Sequence, residues 1–299
     1  VMDIKTISPL DYEGTRLMVE GGNGNTWRGR ASTYRRINAN LGMSVAAQGS
    51  CSDGYYVNEY KNADCDWSRT AGLNLRMEGR TRDGAEDGIH WNVFSSLDWV
   101  NQGGFPYRLL KRGTERLLPI SYNDRCGYHR VAWRLGASFE GRWSRLRYNA
   151  TTSYQLVDDD MQMDQDFTPL SMFTLRQAQR DHTLNQDFTL RPVDKRERWD
   201  WLTGMNLWGR NLATEAPVTF KTDGIQRLIL DNANAGIQQM SPQDTLSFMT
   251  DVLPIGSDFV QRYYGISLYH HSVVNLGAGW KLTAGGRVEY EGQQFKYDS

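Results

Sequence analysis

The residues best suited to chemistry in this 299-residue sequence are three cysteines, five histidines and one dense run of aspartates. Cys51, Cys65 and Cys126 are too far apart for the CxxC spacing of a thiolate metal site. His270 and His271 are adjacent on one extended segment, so their rings point to opposite faces and do not converge on a metal. Asp158, Asp159, Asp160, Asp164 and Asp166 offer the hard oxygen ligands that Ca²⁺ takes, with Asp158, Asp160 and Asp164 as the candidate set. The plainer reading of such a run is a solvated loop. The sequence has no GxSxG elbow, P-loop, HExxH helix or dinucleotide-binding glycine pattern, and no Ser–His pair stands out for a hydrolase on a barrel rim. The expectation is a protein that is not an enzyme and needs no cofactor.

The elements that position these groups are strands. In "LNLRMEGR", Leu73, Leu75 and Met77 alternate with Asn74, Arg76, Glu78 and Arg80, the period-two pattern of a strand. "HWNVFSSLDW" sets Trp91, Val93, Leu97 and Trp99 against His90, Asn92, Ser96 and Asp98. "RVAWRLGASFEGRW", "LRYNATTSYQL" and "WKLTAGGRVEYE" repeat the arrangement with one oily and one charged face. The pattern predicts roughly eleven strands of about ten residues or more, the length a tilted membrane strand needs. A soluble β-sandwich shows the same alternation. Its strands are usually shorter, and it seldom carries all its long loops at one end.

Composition agrees with a β-wall. The net charge of −1 and the pI near 6.6 give no electrostatic case for nucleic acid or for an anionic membrane surface. No apolar run reaches the length of a helical membrane span, and the mean hydropathy of −0.62 is what a barrel shows when half of each strand faces water. Ten tryptophans and only eight prolines suit long, rarely interrupted strands. The chain opens on Val1 without a signal peptide, so a mature form or an excised fragment is expected.

The connections alternate in length. Short ones are expected at Ile37–Leu41, Thr81–Gly88, Trp143–Ser144, Pro192–Arg198 and Gly277–Gly279. Long ones are expected at Gly54–Ser68, Gly103–Arg125, Asp158–Asp181 and Ala213–Arg262, with the first hairpin, at "GGNGN", short as an exception. Outer-membrane barrels have this asymmetry of short periplasmic turns and longer surface loops. Trp143, Trp199 and Trp280 fall on the apolar face near the short turns, and Trp27, Trp99 and Tyr154 on that face near the long loops. Two aromatic rings around an apolar band fit the two interfaces of a bilayer.

The opening stretch, from "VMDIKTISPLDYEGTRLMVEGG" to "SCSDGYYVNEY", resembles the plug-to-barrel junction of TonB-dependent outer-membrane receptors. "MQMDQDFTPLSMFTLRQAQRDHTLNQDFTLRP" followed by "RWDWLTGMNLW" is similar to a later stretch of that family, and the resemblance covers essentially the whole chain. It implies an antiparallel up-and-down transmembrane β-barrel of about 22 strands around a plug, in the outer membrane of a Gram-negative bacterium. Residues 1–11 would be the last plug strand with its linker, and residues 12–299 the N-terminal half of the barrel. The chain departs from the full pattern, since most of the plug, the TonB box and the later strands are missing, so a fragment is expected. The implied partners are the lipid bilayer, the TonB complex acting through the missing plug, and a ferric siderophore, with cobalamin or a glycan behind it. A passive porin and a soluble β-rich surface binding protein are the rival readings.

Several residues then become site candidates. Tyr55, Tyr56, Tyr60, Phe105, Tyr107 and Tyr122 fall in the second and third surface loops, where they either stack on a siderophore or sugar or pack the loops together. Cys51 and Cys65 bracket the second loop and Cys126 ends the third. In an oxidising compartment a disulfide is expected, most plausibly from Cys65 to either partner. "PLSMFTLRQAQRDH" predicts a short helix from Pro169. In the long fifth loop, Ile225, Leu228, Ile229, Ala233 and Ile237 follow helical spacing, for a small loop core or for a lid over substrate.

Overall fold

The computed structural model describes residues 6–81, 88–193 and 198–298. Its strands are β1 (Gly14–Gly22), β2 (Thr26–Asn38), β3 (Leu41–Ser52), β4 (Val57–Asn58), β5 (Ala63–Asp64), β6 (Ser68–Arg80), β7 (His90–Gln102) and β8 (Gly127–Trp143). They continue as β9 (Leu146–Asp164), β10 (Phe173–Pro192), β11 (Trp199–Glu215), β12 (Val218–Lys221), β13 (Val252–Ile255), β14 (Asp258–Gly277) and β15 (Trp280–Asp298). One antiparallel sheet runs β1-β2-β3-β6-β7-β8-β9-β10-β11-β14-β15, so each long strand pairs with the next one along the chain. β12 adds to the end of β10 and pairs with β13, and β4 and β5 form a separate small hairpin. The sheet is a barrel wall that does not close on itself.

Alternation sets which side each residue takes, and the register carries it across the wall. Leu75 lies opposite Val45 and Ser95, and Trp133 opposite Leu97 and Leu156. Among the described residues no second protein layer covers this side: Leu75 is 43% exposed, Trp133 38% and Leu282 55%. Leu17, Val19, Leu73, Met77, Leu135, Phe139, Ile266, Leu268 and Val288 are exposed on it as well. Such an extended apolar surface is unlike that of a soluble monomer. Trp143, Trp199 and Trp280 edge it near the short turns, and Trp27, Trp99, Trp133 and Tyr154 near the long loops. The other side is held by polar pairs, including Arg134 to Asp98 at 2.6 Å, Arg210 to Asp181 at 2.8 Å, and Arg147 and Arg191 to a shared Glu140 at 3.6 and 3.3 Å.

The tight turns fall where expected at 39–40, 144–145 and 278–279, the last with Gly277, Ala278 and Gly279 all at positive φ. The turns expected at Thr81–Gly88 and Pro192–Arg198 fall largely on residues 82–87 and 194–197, outside the described residues. The fourth loop is a correction. β9 runs to Asp164 and β10 starts at Phe173, leaving only residues 165–172 as a connection, and the helix expected from Pro169 is absent. Asp158, Asp159 and Asp160 therefore sit in a ladder rather than in a solvated loop, and arginines across the strand pair set that register. Arg180 bonds Asp158 at 2.6 Å, and Arg176 bonds Asp160. The fifth loop does form the expected helix, with helical backbone over 222–240 and a π-helical stretch at Ile225–Leu230. It stands on the β12–β13 hairpin.

Residues 1–5 of the expected lead-in strand lie outside the described residues, and residues 6–11 form coil and a turn. That segment crosses the polar side of the wall near the short turns. Pro9 and Leu10 are buried there, against Gly42 of β3, where an added Cβ would stand 2.7 Å from Pro9 carbonyl atoms.

Candidate functional site

Above the outer aromatic ring, the second, third and fourth loops join into one cap. Its centre is Cys65, Ile120 and Tyr122, with Cys126 and Phe167 against them. Two glycines allow the close approach at the end of β7. A Cβ on Gly103 would stand 2.3 Å from Cys65 O, and one on Gly104 would stand 2.3 Å from Tyr122 Oη and 2.7 Å from Cys126 Cβ. Asn58, fully buried, donates from Nδ2 to Tyr122 O at 2.8 Å and accepts the Tyr60 amide at 3.0 Å. The Glu59 amide donates to Ile120 O at 2.8 Å, and the Asn123 amide to Thr168 O at 3.2 Å.

The carboxylates of the cap are only partly paired. Asp164, fully buried, accepts the amides of Asp124 at 3.1 Å and Phe167 at 3.0 Å. Burial, with Asp166 and Asp124 nearby, pushes its carboxyl up to about 6. Lys221 from the fifth loop pairs with Asp124, and Lys61 donates to Asp124 O while lying 4.9 Å over the Tyr122 ring. Burial raises the Tyr122 hydroxyl and the Cys65 thiol, and pushes the Cys126 thiol up to about 11, so these groups stay protonated at neutral pH.

The expected aromatic set divides. Tyr122 is 3% exposed and belongs to the cap's core. Tyr55, Tyr56, Tyr60 and Tyr107 are exposed, while Phe105 is half-buried and stacks on Tyr107 at 6.1 Å, which in turn meets Phe167 edge-on at 5.0 Å. Asp66 holds the loop carrying Tyr55 and Tyr56 by accepting their amides at 3.0 and 2.9 Å. Gly54 turns at φ 88° against that carboxylate, where any Cβ would stand 2.3 Å from Asp66 Oδ1. Beside Tyr55 the polar side of the wall has a cleft of about 580 Å³ lined by Glu20, Arg28, Thr26, Ser50, Ser52 and Ser68.

The three cysteines are thiols, and they are not equivalent. Cys51 is exposed on β3, next to Trp27 of β2, whereas Cys65 and Cys126 both border Tyr122. Among the described residues no three His, Cys, Asp or Glu side chains are arranged to hold a metal. Of the calcium candidates, Asp158 and Asp160 are neutralised by Arg180 and Arg176, and Asp164 is committed to backbone amides. Sequence reasoning missed Asn58, Ile120, Phe167 and the lysine pair on Asp124. The "GG" at 103–104, at a strand end beside a long loop, was the readable sign of close packing.

No family model and no curated protein matches the sequence. Solved structures do resemble it. The ferric yersiniabactin uptake receptor FyuA from Yersinia pestis matches with TM-score 0.55 and 13% identity, over 95% of this chain and 44% of that one. The siderophore receptor PiuA from Acinetobacter baumannii matches at 0.62 and 10%, over 95% and 46%. The pyoverdine outer membrane receptor FpvA from Pseudomonas aeruginosa, bound to pyoverdine, matches at 0.63 and 10%, over 96% and 42%. This chain thus spans less than half the length of each, and the likeness to all three is one of fold.

Proposed function

We propose that this chain is the first half of the barrel of a TonB-dependent receptor that imports a scarce nutrient, a ferric siderophore, across a Gram-negative outer membrane. One observation carries the reading: a wall whose apolar residues are uncovered between two aromatic rings, while its other side is ionic. Hydrocarbon is the solvent such a surface fits, and water in a bore is what the paired charges fit. Residues 1–11 then form the end of a plug inside that bore, and the role of the chain is transport rather than catalysis. Of the solved structures named above, one is a ferric yersiniabactin uptake receptor, one a siderophore receptor and one a pyoverdine outer membrane receptor, which supports the substrate class. TonB would act through the plug upstream of residue 6.

The exposed rings Tyr55, Tyr56, Tyr60 and Tyr107, with Phe105 beside them, are the ligand contacts in this reading, and Tyr122 is their support. Cys65 and Cys126 both border Tyr122 as thiols, whereas Cys51 is exposed on the wall beside Trp27. The test uses cells carrying the whole receptor. Iron-loaded siderophore uptake should require the receptor and an energised TonB, and should fall when Tyr55 and Tyr56 are both changed to Ala. Receptor that stays soluble without detergent, or uptake that does not depend on it, would overturn the assignment. Peptide mapping without reductant should recover Cys51, Cys65 and Cys126 as free thiols, and a bridge from Cys65 to either partner would show that the cap rearranges on oxidation.

A further inference from the structure

The lead-in segment meets the wall at a cluster that the transport reading leaves unused. Glu78 of β6 is 3% exposed, deeply buried for a carboxylate in a wall with open faces. Its Oε1 is hydrogen-bonded to His90 Nε2 at 2.7 Å, while Oε2, buried and without a hydrogen bond, forms an ion pair with Arg76 Nη2 at 3.1 Å. Arg76 then reaches the incoming chain, donating from Nη1 to Thr6 Oγ1 and to Ile7 O at 3.3 Å, and it fixes itself to β7 by donating to Asn92 Oδ1 at 2.7 Å. Four residues on along β6, Arg80 pairs with Asp11 at 3.6 Å, and Glu13 accepts the Arg36 amide of β2 at 2.8 Å. Residues 6–13 are therefore tied to β6, β3 and β2 before β1 begins.

We infer that Arg76, oriented by Glu78 and His90, is the hub of a clamp that holds residues 6–11 on the inner wall, so that movement of the chain upstream stops at Ile7 instead of peeling the segment away. The inference rests on the reading of residues 1–11 as the end of a domain inside the bore. Arg76 suits the part because its guanidinium can bond a carboxylate, a side-chain carbonyl and a backbone carbonyl at once in a fixed fork. Glu78 is the positioning residue, since without its charge the guanidinium loses the partner that aims it. Pro9 and Leu10, seated on Gly42, are the apolar half of the same anchor.

Hydrogen exchange on the whole receptor in detergent tests this without reference to uptake. In Arg76→Met the amides of Leu10 and Tyr12, both bonded to Ser8, should exchange about tenfold faster or more, as local opening becomes easier. Glu78→Gln should act in the same direction, and it keeps the side chain's shape should the first variant not assemble. Arg134→Met breaks the pair with Asp98 on the same side of the wall and should leave both amides within twofold. Unchanged exchange in the first two variants, or an equal rise in the third, would overturn the clamp. Loss of the transport reading would show in uptake and leave this exchange pattern intact.

Discussion

The wall and the cap above it reach order in different ways. In the wall, neighbouring strands fix one another through long ladders, and a side chain such as Leu75 or Leu282 gains nothing from protein on its outer side. In the cap, few ladders exist, and order comes from a small buried cluster of Cys65, Ile120 and Tyr122 with amides and carboxylates tied around it. The wall needs an external apolar solvent to be stable, whereas the cap carries its own core into water. The teaching is that exposure of a leucine means different things in the two regions. On the wall it marks the working surface, and in the cap it would mark a defect.

The sharpest way to break this contrast is to charge the wall on one side and then the other. Leu75→Arg, near the middle of the apolar band, should destabilise the receptor in lipid vesicles by about 2–4 kcal/mol. Asn74→Arg, one residue earlier and on the polar side, should change it by less than about 0.5 kcal/mol. Denaturant titration of vesicle-inserted receptor measures both. Equal effects would mean that the two sides share one solvent, and the membrane reading would fail.

The cap should respond to volume, not to charge on its surface. Gly104→Val places atoms where Tyr122 Oη and Cys126 Cβ already stand, and overpacking of this kind costs about 1–3 kcal/mol. Thermolysin should then cut within 103–126 faster, with cleavage in the wall unchanged. Gly236→Ala is the counterpart in the fifth-loop helix. An added Cβ meets nothing within 4 Å there, and helix propensity should tighten the segment by up to about 1 kcal/mol. Faster proteolysis between 222 and 240 in that variant would show that the helix is not formed in solution.

The two regions were not equally legible in the sequence. Period-two alternation gave the wall its strands, their number and the sidedness of Leu75, Trp133 and Leu282, because every strand repeats one rule. The acidic run shows where the rule was misapplied. Asp158 and Asp160 look like loop residues by composition, and only their partners Arg180 and Arg176, some twenty residues downstream, reveal a ladder extended beyond the apolar band. The cap was mostly illegible, since Asn58, Ile120 and Phe167 come together from three loops with no local period to announce it. Helical spacing in the fifth loop was readable for the same reason as the strands, a repeat confined to one segment.

The smallest expected effect concerns pH, and it belongs to the cap alone. Burial raises the Asp164 carboxyl from its ordinary value near 3.8 to about 6, because ionising it places charge beside Asp166 and Asp124 with little water to screen it. The folded cap thus binds a proton more tightly than the unfolded loop. Its stabilising share is full below about pH 4 and is lost as pH rises through about 6. Exchange of the amides at 123–126 and 165–168, corrected for the intrinsic rate, should therefore be slower at pH 4.5 than at pH 7, a few-fold in all. Wall amides such as that of Leu97 should show no such slope. Asp164→Asn should flatten the profile, and it should also weaken the cap at every pH, since an amide cannot accept both the Asp124 and Phe167 N–H groups as the carboxylate does. A slope that survives that substitution would move the titrating group elsewhere in the cap.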